Sequence, residues 1–503
     1  QIKYKKQHLS DFFYYNSILF IYFSVFYIIF LSVKMINSKL ILILKTLSKK
    51  EMKELRVFIS TSIFNKNTDV INLLSILSKQ HPEFLAKNLS HTNISKKLYQ
   101  QDDIKRLRYA MTDLTKLCEK YIAYKNFEKN ENTHLLNAYK SRKLNKLFNQ
   151  ELTKQNQLIS EKSEIRDETY YQNLQELSEI SFLHTLENDN RNIDTKLQDL
   201  VDNLDLYYLS KKLKYSCEII NRMNVLKVDY DVKLLNNLID YINENNIKET
   251  PPISIYFQVL KTLQQPENEN HYTTLKNLIS KYSIRFKKEE QYDLYGYLQN
   301  YCIKKINSGN NNYLKELFEN YSNMLDNEVI IKNNVIAQFD FKNMVTVALR
   351  VGEFKWTKNL IENYQNHLTE EHRLNAITYN TARLEFYQKN YKKCLHELLK
   401  VEFTDIYYSL DSRVLLLKTY YQLNNFESAL SLINAFKIFL KRDKKISEYQ
   451  NITYSNFLKI VIQIVQLQLG YKRDIKKIDE IFKNTKQIAD STWLSEKINE
   501  LMI

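Results

Sequence analysis

Three short polar turns break the helical pattern between residues 342 and 442, and they recur at nearly constant spacing. Each turn carries an aromatic residue, in order Phe354, Tyr391 and Phe426. Each aromatic is followed three places later by a small residue, in order Thr357, Cys394 and Ala429. The aromatics lie 37 and then 35 residues apart, close to the period of two-helix repeat units, which are about 34 residues long. The sequence therefore predicts a stack of helical hairpins over this stretch.

The scarcity of glycine and proline narrows the fold class to all-α. Each of the two occurs four times in 503 residues, far below average usages of about 7% and about 5%. Tight β-turns and phosphate-binding loops depend on glycine, so β-rich and Rossmann-type folds are disfavoured. A chain of this length exceeds one compact core, and we expect two or more domains or a solenoid, which grows by stacking.

Residues 342–442 resemble tetratricopeptide repeats, and the third unit is the most similar. Its first helix carries Leu416, Leu417, Tyr420 and Tyr421, and its second carries Ala429, Ile433 and Phe436. The resemblance implies a right-handed α-solenoid of helical hairpins. Further turn aromatics extend the resemblance in a weaker form over residues 167–503, at Tyr230, Tyr272, Tyr313 and Tyr471. From residue 35 onward the layout is also similar to a family of helical proteins from Bacteroidota with no known activity, so it implies no residue roles.

The resemblance to tetratricopeptide arrays also implies a binding groove, because the first helix of each unit lines the concave side. The residues expected there are Lys342, Asn343, Arg350, Tyr379, Arg383, Tyr387, Lys418 and Gln422. Cations interleaved with aromatic rings suit an acidic peptide or a C-terminal carboxylate, through charge-assisted hydrogen bonds and stacking. The predicted partner is therefore a protein or peptide, with an acidic one favoured.

The net charge of +15 lies wholly in residues 1–166, which hold 29 lysines and arginines against 14 acidic residues. We predict a basic helical bundle over residues 35–166, with a boundary near Arg166. One long helix there should bury one apolar face, formed by Ile104, Leu107, Met111, Leu114, Cys118, Tyr121 and Ile122. The charged stretch 140–166 is interpreted as a long exposed helix or a hinge.

The pair of helical segments 89–99 and 105–114 resembles the helix-turn-helix of winged-helix domains that precede tetratricopeptide arrays in some bacterial regulators. In such domains the second helix enters the major groove. The resemblance therefore places Lys105, Arg106 and Arg108 near phosphates or bases. No glycine-marked hairpin that could form the wing follows Tyr121. The alternative interpretation is a helical bundle whose charged faces are simply solvated.

Residues 12–33 form an uncharged, largely apolar run that is long enough, as a helix, to span a bilayer. The chain begins at Gln1, and its first methionine is Met35. We interpret residues 1–34 as translated upstream sequence, with Met35 as the true start. The alternative is a membrane anchor that leaves the bulk of the protein in the cytoplasm.

No catalytic or metal-binding pattern emerges from the sequence. The four cysteines are widely separated and lie among apolar residues, which indicates reduced core cysteines. The nearest approach to a metal motif is His367 and His372, whose spacing of five does not place both imidazoles on one helical face. We predict a cytoplasmic, non-enzymatic scaffold or adaptor without a cofactor. The alternatives are a nucleic-acid-binding regulator with a sensory repeat domain and a membrane-tethered adaptor.

Overall fold

The structure is a computed structural model, and it describes residues 35–85, 88–128, 131–162, 164–188, 196–226, 228–401 and 406–502. These residues contain 23 α-helices and no β-strand. The predicted all-α class is therefore confirmed for the described part of the chain. None of its helices is both long enough and apolar enough to cross a bilayer. The hydrophobic run 12–33 lies outside the described residues.

Thirteen of the described helices lie between residues 39 and 307. They are α1 (Lys39–Thr46), α2 (Lys49–Ser60), α3 (Thr68–Ser78), α4 (His91–Tyr99), α5 (Ile104–Phe127), α6 (Glu131–Ser141), α7 (Asn145–Lys162), α8 (Glu168–Asn188), α9 (Lys196–Leu226), α10 (Leu235–Glu244), α11 (Pro251–Gln264), α12 (Glu269–Tyr282) and α13 (Lys288–Asn307).

Ten further helices follow. They are α14 (Tyr313–Asp326), α15 (Gln338–Val351), α16 (Phe354–Asn363), α17 (Glu370–Tyr387), α18 (Tyr391–Leu398), α19 (Ile406–Gln422), α20 (Phe426–Arg442), α21 (Glu448–Gln468), α22 (Ile475–Asn484) and α23 (Ser491–Met502).

The described residues divide into two compact units. One comprises residues up to Gln157 together with the stretch that starts at Leu183, and the other comprises residues 158–182 and those from Lys196 onward. Each unit has its own hydrophobic core. In the first unit the core is built from α1 to α5, and in the second it runs from α9 to the end of the chain in two clusters that meet at α19.

The first unit follows the predicted amphipathic patterns closely. Ser48 and Glu51 form a capping box at the start of α2, which satisfies two otherwise unpaired backbone N–H groups. Along α5, Leu107, Leu114, Cys118 and Tyr121 are buried as expected. The prediction that Ile122 is buried is wrong, since its side chain is exposed. The Tyr121 ring packs against Phe58 at that turn, and adjacent helical residues point about 100° apart, so both cannot face one narrow core.

The charged stretch 140–166 contains the end of α6 and all of α7. The two helices are separated by a short break at residues 142–144, where Lys143 has a positive φ of 55°. Phe148 of α7 is fully buried and stacks on the imidazole of His184, with ring centroids 3.8 Å apart. The predicted long exposed helix is therefore present, but it has an aromatic anchor that the charge pattern did not indicate.

The three turns between residues 342 and 442 lie where the sequence places them. Each turn aromatic is the first residue of a helix, with Phe354, Tyr391 and Phe426 opening α16, α18 and α20. The small residue three places later has no solvent exposure in any of the three turns, at Thr357, Cys394 and Ala429, as the prediction of close packing there requires. Of the weaker turn aromatics, Tyr313 also opens a helix, whereas Tyr230, Tyr272 and Tyr471 do not.

Packing in the second unit follows chain order. From α11 to α20 each helix packs against the next one, and α15 also packs against α17, and α17 against α19. The first helices of the three hairpins are therefore neighbours in space. This arrangement brings the residues predicted to bind a partner onto three adjacent helices.

Candidate partner-binding surface

The eight residues predicted to line a groove all belong to three first helices. Lys342, Asn343 and Arg350 lie on α15, Tyr379, Arg383 and Tyr387 on α17, and Lys418 and Gln422 on α19. Asn343, Arg350 and Tyr387 are exposed, and Lys342, Arg383 and Gln422 are partly buried. Tyr379 and Lys418 are buried, with 4% and 8% exposure, so they contribute to packing in this structure.

Lys342 is neutralised by an acidic residue two helices away. Its ammonium group forms an ion pair with Asp411 of α19. The Tyr454 hydroxyl of α21 donates a second bond to Asp411, at 2.8 Å. Burial raises the pKa of Tyr454, and the Asp411 charge raises it further, so the phenol stays a donor. Asp411 therefore joins α15, α19 and α21 through one carboxylate.

Lys418 is also paired and lies among aromatic rings. Its Nζ is 2.5 Å from an Asp490 carboxylate oxygen. The same ammonium lies 5.0 Å from the centre of the Phe386 ring and 5.7 Å from that of Trp493. A buried ammonium needs such partners because removal from water is costly for a charged group. The charge of Lys418 is thus satisfied within the protein.

Arg383 turns back toward α15. One of its terminal nitrogens donates to the Thr346 hydroxyl at 2.6 Å, and its guanidinium lies 5.7 Å from the centre of the Tyr379 ring. Burial raises the pKa of Tyr379, and the Asp411 carboxylate adds to that effect. Tyr379 in turn meets Tyr408 edge-on, with ring centroids 5.1 Å apart. The centre of this surface is therefore an aromatic and hydroxyl-rich layer.

Two acids offset two of the four predicted cations on this surface, which the sequence indicated as purely cationic. Its acids, Asp411 and Asp490, were not among the predicted residues. Asp411 lies seven positions before Lys418 on the same helix, so helical periodicity could have placed it on the same side. Asp490 comes just before α23, and no local pattern links it to α19. The cation that stays exposed on this surface is Arg350.

The three cations of the helix-turn-helix alternative have different surroundings. Arg106 of α5 pairs with Asp69 at 2.8 Å and lies 4.4 Å from the centre of the Tyr99 ring. The hydrogen bond that Arg106 donates to Asp69 raises the pKa of Arg106. Lys105 and Arg108 are exposed. Two of the three predicted nucleic-acid contacts are therefore presented on the surface of α5, and the third is engaged within the unit.

A buried charge network in the second unit was missed at the sequence level. Lys214 of α9 donates to Glu168 at 2.6 Å and to Glu290 at 3.0 Å. The Tyr256 hydroxyl donates to the same Glu290 oxygen at 2.6 Å. Burial raises the pKa of Glu290 to about 7. Burial, the largest single effect, acts to raise the pKa of Glu168, but the hydrogen bond from Lys214, the charge of Lys214 and further hydrogen bonds together lower it.

This network differs from the acid and base pair of a hydrolytic site, because one lysine bridges both carboxylates. Glu168, Lys214, Tyr256 and Glu290 come from four different helices, α8, α9, α11 and α13. The shared cation offsets one negative charge, and the raised pKa of Glu290 reduces the second near pH 7, so the desolvation penalty of the two buried carboxyl groups is smaller. No spacing in the sequence could reveal the network, since its members are up to 122 positions apart.

A shallow open depression of about 590 Å³ lies at the carboxyl end of α20, and none of the eight predicted residues lines it. It is lined by Ala435, Ile438, Phe439, Arg442, Asp443, Lys444 and Lys445. Among the residues that the structure describes, no cluster of three histidine, cysteine or acidic side chains could hold a metal ion. All four cysteines are free and buried, and burial raises the pKa of the Cys118 thiol to about 12.

Comparison with known proteins returns no relative: no family model matches the chain, and neither a curated protein nor a solved structure is significantly similar to it. The tetratricopeptide and Bacteroidota resemblances therefore rest on the residue patterns alone.

Proposed function

We propose that this chain is a cytoplasmic, non-enzymatic scaffold or adaptor, built as a right-handed solenoid of tetratricopeptide-like hairpins, that binds a protein or peptide along α15, α17 and α19. The observation that carries the proposal is the packing order, in which α15 contacts α17 and α17 contacts α19. Stacked hairpins of this kind create extended surfaces that are suited to a peptide or a protein face.

The side chains of these helices refine the partner's chemistry. Arg350 and Tyr387 are the exposed cation and ring, and they suit an acidic side chain and an apolar or aromatic one. The partly exposed ion pair of Lys342 with Asp411 offers both signs of charge. We therefore favour a partner with an acidic residue near an aromatic one over a uniformly acidic tail.

The proposal is tested by quantitative recovery of partners from nuclease-treated lysate of the source organism, with the full chain as bait. The surface variant carries Arg350→Glu and Tyr387→Ala. The matched control carries Lys355→Glu, on α16, and Tyr449→Ala, on α21, both at exposed positions. We expect wild type and control to retain one protein in near-stoichiometric amount and the surface variant to retain at least tenfold less, with no change in unfolding temperature. Equal recovery by all three proteins contradicts the proposal.

A regulator that binds nucleic acid is the second candidate, and the exposure of Lys105 and Arg108 on α5 favours it. Tyr109, beside them, is 63% exposed and could stack on a base or sugar. Phosphate binding weakens steeply as salt rises, whereas a groove contact that buries apolar surface weakens little. A duplex titration at two salt concentrations, repeated with Lys105→Glu and Arg108→Glu, separates the two candidates. Binding that is absent in wild type or unchanged by the substitutions removes the second one.

A further inference from the structure

Helix α9 has apolar residues on two opposite sides. Its inner side is packed into the second unit, with Leu209, Leu213 and Cys217 at most 5% exposed. The Cys217 thiol donates to the Tyr256 carbonyl oxygen at 3.1 Å, which holds α9 against α11. A helix that is buried along one side is normally polar on the other. In α9 the outer side carries a row of aliphatic and aromatic residues instead.

This row, called the outer stripe, is regular and exposed. Its members are 44% to 54% exposed, and they are Leu197, Val201, Leu204, Tyr208 and Tyr215. The successive steps of four, three, four and seven residues match the seven-residue repeat of helices that pair along a seam. Single exposed apolar residues are ordinary on protein surfaces, but a contiguous row with polar edges marks an interaction site.

The charges that edge the outer stripe indicate what covers it. Of the acids in the amino-terminal half of α9, Asp205 lies beside the outer stripe; in the middle of the helix Lys211 occupies the seam position between Tyr208 and Tyr215, and Lys212 follows it. A second α9 in antiparallel orientation would place the acidic half of each helix beside the cations of the other. A parallel copy would place like charges together, which is unfavourable.

We propose that α9 is a homodimerisation helix, with two copies of this chain paired antiparallel through the outer stripe. We place the two-fold axis of the dimer at Tyr208, so that each residue before Tyr208 faces the residue at the same distance after Tyr208 in the other copy. Val201 and Tyr215 are each seven residues from Tyr208 and would meet across the axis, and Asp205 and Lys211 are each three residues from it. The interface is thus self-complementary, as two-fold symmetry requires.

The surroundings of Lys211 and Asp205 are compatible with an antiparallel pair of α9 helices. Lys211 lies 5.8 and 5.9 Å from the centres of the Tyr207 and Tyr215 rings, so its ammonium is already held near the outer stripe. In the described part of the chain, no ion-pair partner is recorded for Asp205. A contact of this kind would cover roughly 500 Å² per copy if each half-exposed side chain contributes about 100 Å². That is below the roughly 800 Å² per partner of a standard interface, so we expect a dimer that dissociates at micromolar concentration.

The test is sedimentation velocity of the full chain from about 1 to 100 µM. We expect wild type to shift from monomer to dimer over this range. Leu204→Glu with Tyr208→Glu should remain monomeric throughout, because it places four carboxylates in the seam. The matched control is Leu374→Glu on α17, at a position that is 71% exposed, and it should behave as wild type. A monomeric wild type at 100 µM, or a dimer that persists in the double variant, overturns the proposal.

Charge exchange tests the orientation without changing an apolar residue. Asp205→Lys alone should weaken the dimer at least tenfold, and Asp205→Lys combined with Lys211→Asp should restore it, because the opposite charges again face each other. In addition, Tyr208→Cys should form a disulfide-linked dimer on mild oxidation, since a residue on the axis meets its own copy, and the native cysteines are buried. Failure of the double exchange to restore the dimer, or a dimer that does not cross-link, overturns the antiparallel arrangement.

Discussion

Lys418 and Asp490 form an ion pair with 2.5 Å between Nζ and the nearer carboxylate oxygen, although 72 positions separate them in the chain. The pair ties α19 to the segment that leads into α23. Lys418 was expected to contact a partner, but its side chain is buried against Phe386 and Trp493. Because Lys418 is buried and paired, we expect its replacement to change the stability of the fold and not only the binding of a partner.

Replacing Lys418 by methionine should lower the free energy of unfolding by about 1 to 2 kcal/mol. Methionine keeps the packing against the rings but leaves Asp490 without its cation. Urea unfolding at pH 7 measures the change. Lys441→Met, at an exposed position on α20, is the control and should stay within about 0.5 kcal/mol of wild type. An equally small effect at Lys418 would show that the ion pair adds no net stability.

Glu290 should make the protein less stable as pH rises. Burial raises its pKa from the ordinary 4.5 to about 7 in the folded state, so between these values the folded protein binds more protons than the unfolded chain. The stability contribution is fully present below pH 4.5 and is lost as pH rises through 7. Glu168, Lys214 and Tyr256 face the same carboxyl group, and Gln at position 290 keeps the acceptor oxygen for the last two.

The measurement is the difference in unfolding free energy between Glu290→Gln and wild type at several pH values. We expect the unfolding free energy of the variant, relative to that of wild type, to increase by about 1 to 3 kcal/mol between pH 5 and pH 8. Taking the difference cancels the other acids that titrate in this range. A difference that stays constant with pH would mean that Glu290 is ionised throughout and that Lys214 compensates both carboxylates.

Ala429 should not accept a larger side chain. It has no solvent exposure and lies in the first turn of α20, where the two helices of the hairpin cross. Ala429→Leu should therefore lower stability by about 1 to 3 kcal/mol, because the extra methyl groups force the helices apart. Ser431→Leu, two residues later and exposed, is the matched control and should have little effect. The measurement is the thermal unfolding temperature of the two variants and of wild type, and an equal temperature for both variants would contradict the prediction.

Two glycines should respond to alanine in opposite directions. Gly352 ends α15 with a φ of +86°, and its N–H bonds to the Ala348 and Leu349 carbonyl oxygens, so a Cβ there costs about 1 to 2 kcal/mol. Gly296 lies inside α13, and apart from its chain neighbours and the adjacent turns of its own helix backbone, no described heavy atom is within 4 Å of the place its Cβ would occupy. Gly296→Ala should stabilise the protein by about 0.5 to 1 kcal/mol. The same sign for both variants in urea unfolding would contradict this account.

Local chemistry made the helices predictable. The turns with Phe354, Tyr391 and Phe426 open α16, α18 and α20 as predicted, and Ser48 and Pro251 stand at the starts of α2 and α11 as local capping chemistry favours. Each depends on atoms within about four residues, and such interactions survive in any fold that contains the helix. The error at Ile122 arose where a neighbouring helix, and not periodicity, decided which of two adjacent side chains faces the core.

The candidate surface was predictable only in part. Its helices and its cations follow from periodicity, but the acids that neutralise the cations do not. Asp411 reaches Lys342 across α17, and Asp490 reaches Lys418 from a segment with no repeat pattern. The apolar residues of α9 were visible in the sequence as well, yet only the fold shows which of them face outward.

The sequence by itself determined the all-α class, the three turns that open α16, α18 and α20, and the small buried residue that follows each turn, because these depend on hydrogen bonds and side-chain volumes within single turns. The tertiary structure alone decided which charges are paired, which carboxyl group has a raised pKa and which side of α9 is left uncovered. These properties depend on distances between helices that are remote in sequence, and they are set by the packing of the whole unit.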